Sequence, residues 1–292
     1  MIMHGAVRPP THAGNFYPRD PVALRRLLAD LRARAAAPLP VDGELVGLLV
    51  PHAGLAYSGT VATAAWDLLG GPTSRPVVLA GTNHWVPGYE SIGVWPDGAW
   101  ACPLGEVPVD ARLARAILRL GGPFRPDTDV HREEHSLEVQ LPFLVGPGRS
   151  FVPLLVGLHE RGALADAGER LAGVLLALRQ LEPERPAPII VATSDLAHYP
   201  DDATARVVDA AILEPIAALD AAELGRRERE YRRGTVPGVA CGVCGLEPIL
   251  LAIATVRALG ATRGLVLGTA TSADAGAGAE RVVGYAAVAF VA

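Results

Sequence analysis

The chain has 292 residues, a formal net charge of −5 and a sequence pI of about 5.9. Half of the residues are hydrophobic, so a large core can be buried, and the lack of a basic surplus argues against nucleic acid as a partner. All 26 basic residues are arginine, which excludes a Schiff-base lysine, a pyridoxal-phosphate anchor and a Walker-type phosphate loop, because each of these needs a lysine amine.

Targeting and redox signals are weak. The N-terminal stretch MIMHGAVRPPTHAGNFYP lacks a long apolar run with a small-residue cleavage site, so we expect no signal peptide. No window reaches ~18 uninterrupted apolar residues, so we expect no membrane span. The cysteines Cys102, Cys241 and Cys244 are too few for a disulfide framework. We expect a soluble, cytoplasmic protein, and the Ala/Arg/Gly/Pro bias resembles that of a high-GC bacterial genome.

Short apolar segments alternate along the chain with longer helical patterns. In chain order we predict a helix at 20–36, a strand at 44–50, a helix at 59–69, strands at 76–82 and 91–95, a helix at 110–120, a strand at 151–157, a helix at 163–181, a strand at 188–194, helices at 202–219 and 245–259, and strands at 263–270 and 282–290.

Several of these strands are apolar on both faces, which is typical of strands covered by helices on each side. Asp20 and Asp202 stand where N-caps would be useful, and RPAP at 185–188 is predicted to be a turn into a strand and not a linker. The alternation therefore predicts one domain over 1–292, an α/β three-layer αβα sandwich around a mostly parallel or mixed sheet.

Histidines follow three of the predicted strands. His52, His84 and His198 each come shortly after a strand, and His131 and His135 lie in the polar segment DVHREEHSLEVQLPF. Each alone fits a capping or solvated loop histidine. Because the carboxyl ends of parallel strands line a common crevice, the set together favours a site for zinc, copper, iron or nickel. The remaining histidines carry no comparable context: we expect His4 and His159 at the surface and leave His12 open.

The segment VPGVACGVCGLEP contains the pair Cys241 and Cys244. A lone CxxC is weak evidence for zinc or for a thioredoxin-type site, and two small buried residues are an equally good interpretation. If Cys244 stands at the N-terminus of the helix at 245–259, its pKa would be lowered and the thiolate would be available as a ligand.

Two serines and one aspartate are further candidates. Ser58 and Ser194 lie outside any GxSxG motif, so a serine hydrolase is disfavoured. Asp195, three residues before His198, could orient an imidazole through its second nitrogen or could cap the helix that follows the strand at 188–194.

Nine motifs from residue 8 to residue 290 resemble, in the same order, those of the MEMO family, whose bacterial members are also called AmmeMemoRadiSam system protein B. In order along the chain they are RPPTHAGNFYP, LLVPHAGLAYSG, GTNHW, CPLGEVPVD, HREEHSLEVQLPFL, TSDLAHY, ACGVCGLEPI, LGTATSAD and VVGYAAVAF. The resemblance implies a fold related to the class III extradiol, LigB-type, non-haem iron dioxygenases.

In those dioxygenases two histidines and a carboxylate hold Fe(II), and in the MEMO family the equivalent ligands are two histidines and a cysteine. The resemblance therefore implies His52 of PHAG, His84 of GTNHW and Cys244 of CGLEP as metal ligands. Fe(II) is the first expectation for the metal, with copper or zinc as alternatives, because a thiolate makes the site softer.

The same resemblance suggests residues that move protons. His198 of SDLAH matches the acid/base position of the dioxygenases, and His131 and His135 match the HxxEHS motif beside the pocket. With Asp195, these are the candidate catalytic residues. Cys241 lies three residues before the expected ligand, and if the two sulfurs were neighbours on a helical turn, their oxidation would make metal binding redox-sensitive.

Three functions remain open. The first is a redox-active metal protein. The second is a vestigial pocket that recognises a peptide or protein partner, with Tyr57 and Trp85 as an aromatic wall, although core packing is the simpler expectation for both. The third is a true aromatic dioxygenase. A small molecule or peptide is the expected ligand of the cleft, and the family's alternative name suggests a functional link with a radical-SAM protein and an AMMECR1-like protein.

Overall fold

The computed structural model describes residues 5–35, 41–70 and 75–292. His4 and the last residue of the helix predicted at 20–36 lie outside the described residues. The strands are β1 Val7–Arg8, β2 Leu45–Val50, β3 Val77–Thr82, β4 Ile92–Val94, β5 Ala99–Cys102, β6 Gly105–Pro108, β7 Phe124–Pro126, β8 Phe151–Val156, β9 Ile189–Thr193, β10 Arg263–Thr271 and β11 Gly284–Val291.

Within the described residues, eight strands form the main sheet in the order β10-β11-β2-β9-β3-β8-β4-β7. Its centre is parallel, because β2 pairs with β9, β9 with β3 and β3 with β8 in the same direction. Antiparallel pairs join β10 to β11, β11 to β2 and β4 to β8. A small second sheet has the order β1-β5-β6. The predicted mixed sheet is confirmed.

Helices cover the main sheet in the manner of a three-layer αβα sandwich. They are α1 Pro21–Arg34, α2 Leu55–Trp66, α3 Ala111–Leu118, α4 His135–Glu138, α5 Leu141–Leu144, α6 Arg161–Leu181, α7 Asp202–Ala217, α8 Ala221–Arg232 and α9 Leu246–Ala258. Helix α2 packs on β2, β11 and β10, with α1 against it. Helix α9 packs on β2, β9 and β3 and contacts α6, and α7 packs on β10 and β11.

The alternation of apolar runs positions these elements well, but two local predictions are wrong. Helix α7 is capped by Asp201, which accepts a hydrogen bond from the Thr204 N–H, and Asp202 is the first helical residue. Helix α2 begins at Leu55 and not at Gly59. Gly59 marks a close helix contact, since a Cβ there would lie 2.5 Å from Leu31 Cδ1 of α1. The N-cap prediction for Asp20 is confirmed by its bond from the Ala23 N–H.

Several elements are absent from the sequence prediction. The strands β1, β5, β6 and β7 have two to four residues each, and short strands carry little periodicity. Helix α8 is strongly charged, and few of its residues are buried. Across the described parts of the chain, none of the helices has both the length and the apolar character that crossing a membrane requires.

Candidate metal centre

The candidate site lies where β2, β9 and β3 end. These neighbouring strands run in the same direction, so their carboxyl ends meet at one edge of the sheet. His52 follows β2, Asp195 follows β9 and His84 follows β3. The sequence predicted that the three strand ends bring His52, His84 and His198 together. In the structure the residue after β9 that lies within ligand distance of His52 is Asp195, which is 143 residues away from it in the chain.

His52 is buried, and a threonine orients its ring. Thr193 is the last residue of β9, and its Oγ1 atom lies 3.0 Å from His52 Nδ1. On the other side of the ring, His52 Nε2 lies 3.1 Å from Cys244 Sγ. Burial lowers the pKa of His52 well below its usual value, and the neighbouring imidazoles of His84 and His135 lower it further. The ring is therefore neutral at physiological pH, which is the form that binds metal ions.

His84 is held by a carboxylate that sequence reasoning missed. Its Nδ1–H donates to Glu134 Oε1 at 2.9 Å, and its backbone N–H donates to Glu134 Oε2 at 2.9 Å. Burial raises the pKa of Glu134, but the hydrogen bond to His84 and the charges of His84 and His135 outweigh it and bring the pKa down to about 2. Such a carboxylate leaves Nε2 as the free donor atom of the imidazole.

His135 begins the short helix α4 and packs beside His84. The two rings stack with centroids 4.5 Å apart, and the other face of His135 stacks on Phe16 at 4.4 Å. Burial lowers the pKa of His135 to about 4, so this imidazole is also neutral. The approach of α4 to β3 requires Gly81, because a Cβ there would lie 2.6 Å from Ser136 Oγ.

Cys244 precedes α9 and faces His52. Its Sγ accepts a hydrogen bond from the Asp195 N–H at 3.3 Å, and its own N–H donates to the Asp195 carbonyl at 3.2 Å. The expected lowering of the thiol pKa is wrong. Burial raises the pKa of Cys244 well above its usual value, and the nearby Asp195 carboxylate adds to the effect.

Cys241 does not share a helical turn with Cys244, because both residues precede α9. Both thiols are free. Instead, Cys241 forms an isolated β-bridge with His198. Burial raises the pKa of the Cys241 thiol to about 12. The proposed oxidation of the pair stays a prediction.

Asp195 neither caps a helix nor bonds an imidazole ring. Its Oδ1 accepts from the backbone N–H groups of His52 at 2.8 Å and Ala53 at 3.1 Å, which joins the ends of β9 and β2. Burial raises the pKa of Asp195, against the lowering effects of His198 and of these N–H groups. The cap of the following helix is Asp201.

Within the described residues, two sets of possible ligand atoms each lie within 4.8 Å of one another. One set is His52, His84 and His135, and the other is His52, Asp195 and Cys244. We call these five residues the histidine–cysteine cluster. The predicted trio of His52, His84 and Cys244 is split between the two sets, with His52 in both.

Two other predicted histidines differ in position. The His198 Nδ1–H donates to the Leu196 carbonyl at 2.8 Å, which leaves Nε2 as its free atom, and its charge acts on both Asp195 and His52. His131 is fully buried outside both ligand sets, edge-on to Trp95 and Trp100. Its Nδ1–H donates to the Asp127 carbonyl at 2.9 Å. The structure gives His131 a packing position and no place in the cluster.

The remaining candidates also have defined positions. The hydroxyl of Ser58 donates to the Ala53 carbonyl, and that of Ser194 donates to the Asp195 carbonyl. Core packing, the simpler expectation for Tyr57 and Trp85, is wrong, because the two side chains are 48% and 56% exposed. His159 is exposed, as expected, and pairs with Glu247 at 2.9 Å.

His12, whose position the sequence left open, lies close to the cluster. Its ring is edge-on to that of His135, with centroids 5.7 Å apart. Its Nε2 atom lies 3.0 Å from the Glu133 carbonyl oxygen.

Comparisons with known proteins give a family match over almost the whole chain. The family model described as "Memo-like protein" matches residues 8–289. A MEMO1 family protein of Methanopyrus kandleri is 34% identical, with 97% of this chain and 98% of that protein covered. A MEMO1 family protein of Aquifex aeolicus is 33% identical, with 98% of this chain and 99% of that protein covered.

The fold also occurs in a solved structure. An uncharacterized protein from Escherichia coli K12 superposes with a TM-score of 0.52 at 13% sequence identity, over 84% of this chain and 99% of that chain. At this identity the likeness concerns the fold alone.

Proposed function

Because the chain belongs to the Memo-like protein family, we propose that its histidine–cysteine cluster binds a transition metal. Iron is the first candidate and copper the second, both redox-active, and zinc is a redox-inert alternative. The observation that carries the proposal is the 3.1 Å approach of His52 Nε2 to Cys244 Sγ, with His84, His135 and Asp195 around the same imidazole. The bound ion would supply a Lewis-acidic and redox-active centre for a small ligand.

The donor set fits such an ion. Burial keeps the imidazoles of His52 and His135 neutral. Burial also favours the protonated thiol of Cys244, and a bound ion would deprotonate it. Neutral imidazole with thiolate suits iron, copper and zinc. Among the described residues, two buried polar atoms near the cluster make no hydrogen bond: Thr82 Oγ1 at the end of β3, and His135 Nδ1, which lies 3.4 Å from Glu134 Oε1. Unsatisfied buried polar atoms are costly, and a ligand or ion beside them offsets that cost.

The chain's own residues divide the remaining work. Glu134 holds His84 from behind, and Thr193 sets the orientation of the His52 ring. We assign proton transfer to His198, because its Nδ1–H is engaged by Leu196 and its Nε2 stays free to exchange a proton. His131 takes no part in this proposal.

Ring cleavage of a catechol is the less favoured activity. That chemistry in the LigB-type enzymes, which this chain resembles, uses carboxylate-bound iron, whereas here a cysteine faces His52. Asp195 belongs to the same ligand set and could supply a carboxylate oxygen. Oxygen consumption with a panel of catechols separates ring cleavage from other metal-centred functions. Oxygen consumption by wild type that His198→Ala abolishes would favour the dioxygenase.

The metal proposal is tested by purification without oxygen, followed by measurement of bound metal. We expect wild type to retain metal and His52→Ala to lose it, since His52 belongs to both ligand sets. His84→Ala and Cys244→Ala each remove one set, so their relative losses show which set dominates. Cys102→Ala, a buried cysteine in the small sheet, is the matched control. Metal content unchanged in a folded His52→Ala protein would refute the proposal.

A second candidate function is recognition of a peptide or protein without turnover. The exposure of Tyr57, in the first turn of α2, and Trp85, next to His84, favours it, because exposed aromatic side chains are frequent binding anchors. This function predicts that a Tyr57→Ala/Trp85→Ala variant loses ligand while its metal content is unchanged. Loss of ligand only together with metal would favour the metal-centred function.

A further inference from the structure

The loop that carries Cys244 is anchored by a buried acid from the charged helix α8. Glu228 is fully buried, and its Oε2 atom accepts hydrogen bonds from the N–H groups of Gly242 at 2.8 Å and Val243 at 3.0 Å. Two successive backbone N–H groups directed at one carboxylate form a small anion-binding concavity. The bonded residues immediately precede Cys244.

Arg232 balances the charge of this carboxylate. Its Nε–H donates to Glu228 Oε1 at 2.5 Å. A buried carboxylate is costly unless it is paired and hydrogen-bonded, and both oxygens of Glu228 meet this condition. The other acids of α8, Glu223 and Glu230, face solvent and pair with arginines of the same helix. Glu228 therefore differs from these two acids, because its carboxylate binds the backbone of the loop.

Close packing fixes the distance between α8 and the loop. A Cβ at Gly242 would lie 2.6 Å from the ring of Tyr231 and 3.0 Å from Glu228 Oε2. Only glycine lets the backbone approach the helix this closely. The loop therefore packs against α8 at both the Tyr231 ring and the Glu228 carboxylate.

The opposite side of the loop is joined to the end of β9. His198 N–H donates to the Cys241 carbonyl, Ala240 N–H donates to the His198 carbonyl, and Cys244 N–H donates to the Asp195 carbonyl. The loop is thus held between two supports, the segment after β9 and the carboxylate of Glu228. We therefore expect that loss of either support would let Cys244 move away from His52.

We propose that Glu228 is a positioning residue for the metal centre, which holds Cys244 Sγ in reach of His52 by binding the backbone of Gly242 and Val243. The inference deepens the proposed function and rests on it for the role of the metal. The placement of Cys244 is a separate claim that does not require metal, and the two are tested separately.

The first test titrates the metal-free full-length protein with Co(II), whose thiolate complexes absorb in the near ultraviolet. We expect Glu228→Gln to weaken Co(II) binding about 10- to 100-fold and to reduce the thiolate absorption, as for other residues that orient ligands from behind. Glu230→Gln, an acid on the same helix that pairs with Arg226, is the matched control and should bind as wild type. Wild-type affinity and absorption in a folded Glu228→Gln protein would overturn the proposal.

The second test needs no metal. Alkylation of Cys244, followed by mass spectrometry of its peptide, should be faster in Glu228→Gln than in wild type or Glu230→Gln, with faster amide exchange at 242–244. If wild type fails to bind Co(II) but this difference is present, the proposed function fails and the positioning claim stands. If alkylation and exchange are unchanged, the positioning claim fails whatever the metal result.

A conservative variant covers the case in which Glu228→Gln does not fold. Glu228→Asp keeps the negative charge but shortens the side chain by one methylene, which draws the carboxylate back from the loop. We expect Co(II) affinity and Cys244 alkylation to fall between those of wild type and Glu228→Gln. Full wild-type behaviour of Glu228→Asp together with an unfolded Glu228→Gln would reduce Glu228 to a stability residue and overturn the proposal.

Discussion

Glu134 binds His84 through both of its oxygens, one to the ring Nδ1–H and one to the backbone N–H, each at 2.9 Å. The carboxylate is fully buried, and Oε1 also accepts the Ser136 N–H at 2.8 Å. Its position therefore determines both the tautomer of His84 and the entry of the chain into α4.

Replacing this carboxylate should loosen His84. We expect Glu134→Gln to lower metal affinity about 10- to 100-fold, because a carboxamide can accept the ring proton but no longer stabilises the imidazole by charge. The adjacent and exposed Glu133 is the matched control, and Glu133→Gln should bind as wild type. Isothermal titration calorimetry with the metal measures the affinity of each variant. Equal affinities of the two variants would show that Glu134 does not orient His84.

Substitution of Arg8 should be among the most destabilising changes in the chain. Its guanidinium is buried over the ring of Trp100 and binds Glu138 at 2.5 Å and the carbonyls of His131 and Glu134. Arg8→Met removes the cation beside the buried Glu138 carboxylate, which keeps only its hydrogen bonds from Thr11, His12 and Tyr17. We therefore expect the free energy of unfolding to fall by about 3–5 kcal/mol.

The comparison for Arg8 is an exposed ion pair. Arg32 pairs with Asp67 at 2.7 Å on the surface, and Arg32→Met should cost less than about 1 kcal/mol. Urea unfolding of both variants tests the contrast. Similar losses for the two arginines would mean that the buried network contributes no more than a surface pair.

Asp209 should make stability depend on pH. Its carboxyl is buried on α7 against Gly284, where burial raises its pKa to about 7. A carboxyl whose pKa is raised in the folded state contributes stability that is fully present below about pH 4 and is lost as the pH rises to about 7.

Asp209→Asn removes this ionisation and keeps an acceptor for the Ala197 N–H. Relative to the variant, wild type should lose up to about 1.4 kcal/mol of unfolding free energy per pH unit between about pH 4 and 7, and nothing further above that range. Exposed Asp166 provides the control variant, Asp166→Asn. Denaturant unfolding across this pH range is the measurement, and parallel curves for wild type and Asp209→Asn would contradict the assignment.

Oxidation should release the metal if Cys241 and Cys244 form a disulfide. A disulfide between Cys241 and Cys244 would remove the thiolate ligand, so diamide treatment should strip metal from wild type. Cys241→Ser should retain it, since Cys244 then has no close partner in the loop. Equal metal retention in reduced and oxidised wild type would exclude this sensitivity.

The strands around the site could be predicted because their residues are apolar on both faces. The segments at 44–50, 76–82 and 188–194 agree with β2, β3 and β9 within one residue at each end. A histidine follows each strand, so the sequence predicted the convergence of His52, His84 and His198, but it did not predict that Asp195 lies in a ligand set with His52. Parallel strands place their ends together whatever their order in the chain.

Other parts of the site depend on contacts that no local pattern reports. In HREEHS, Glu133 is exposed and Glu134 is buried, and only the position of His84 distinguishes them. His131 and His135 look equivalent in the motif, but a 3-10 turn at Asp129–His131 directs the first towards Trp100. Helix α8 has no wide apolar stripe, so neither the helix nor the contact of Glu228 with the Cys244 loop could be predicted from the sequence.

The place of β11 in the sheet has a consequence for synthesis of the chain. This strand follows all the others in sequence, yet it lies between β10 and β2, directly beside the strand that leads to His52. Until β11 has been synthesised, β2 is an unpaired, apolar edge strand that can pair with another chain and aggregate. Chaperone engagement of nascent chains should therefore persist until residues 284–291 are available, and translation stalled before them should yield insoluble product.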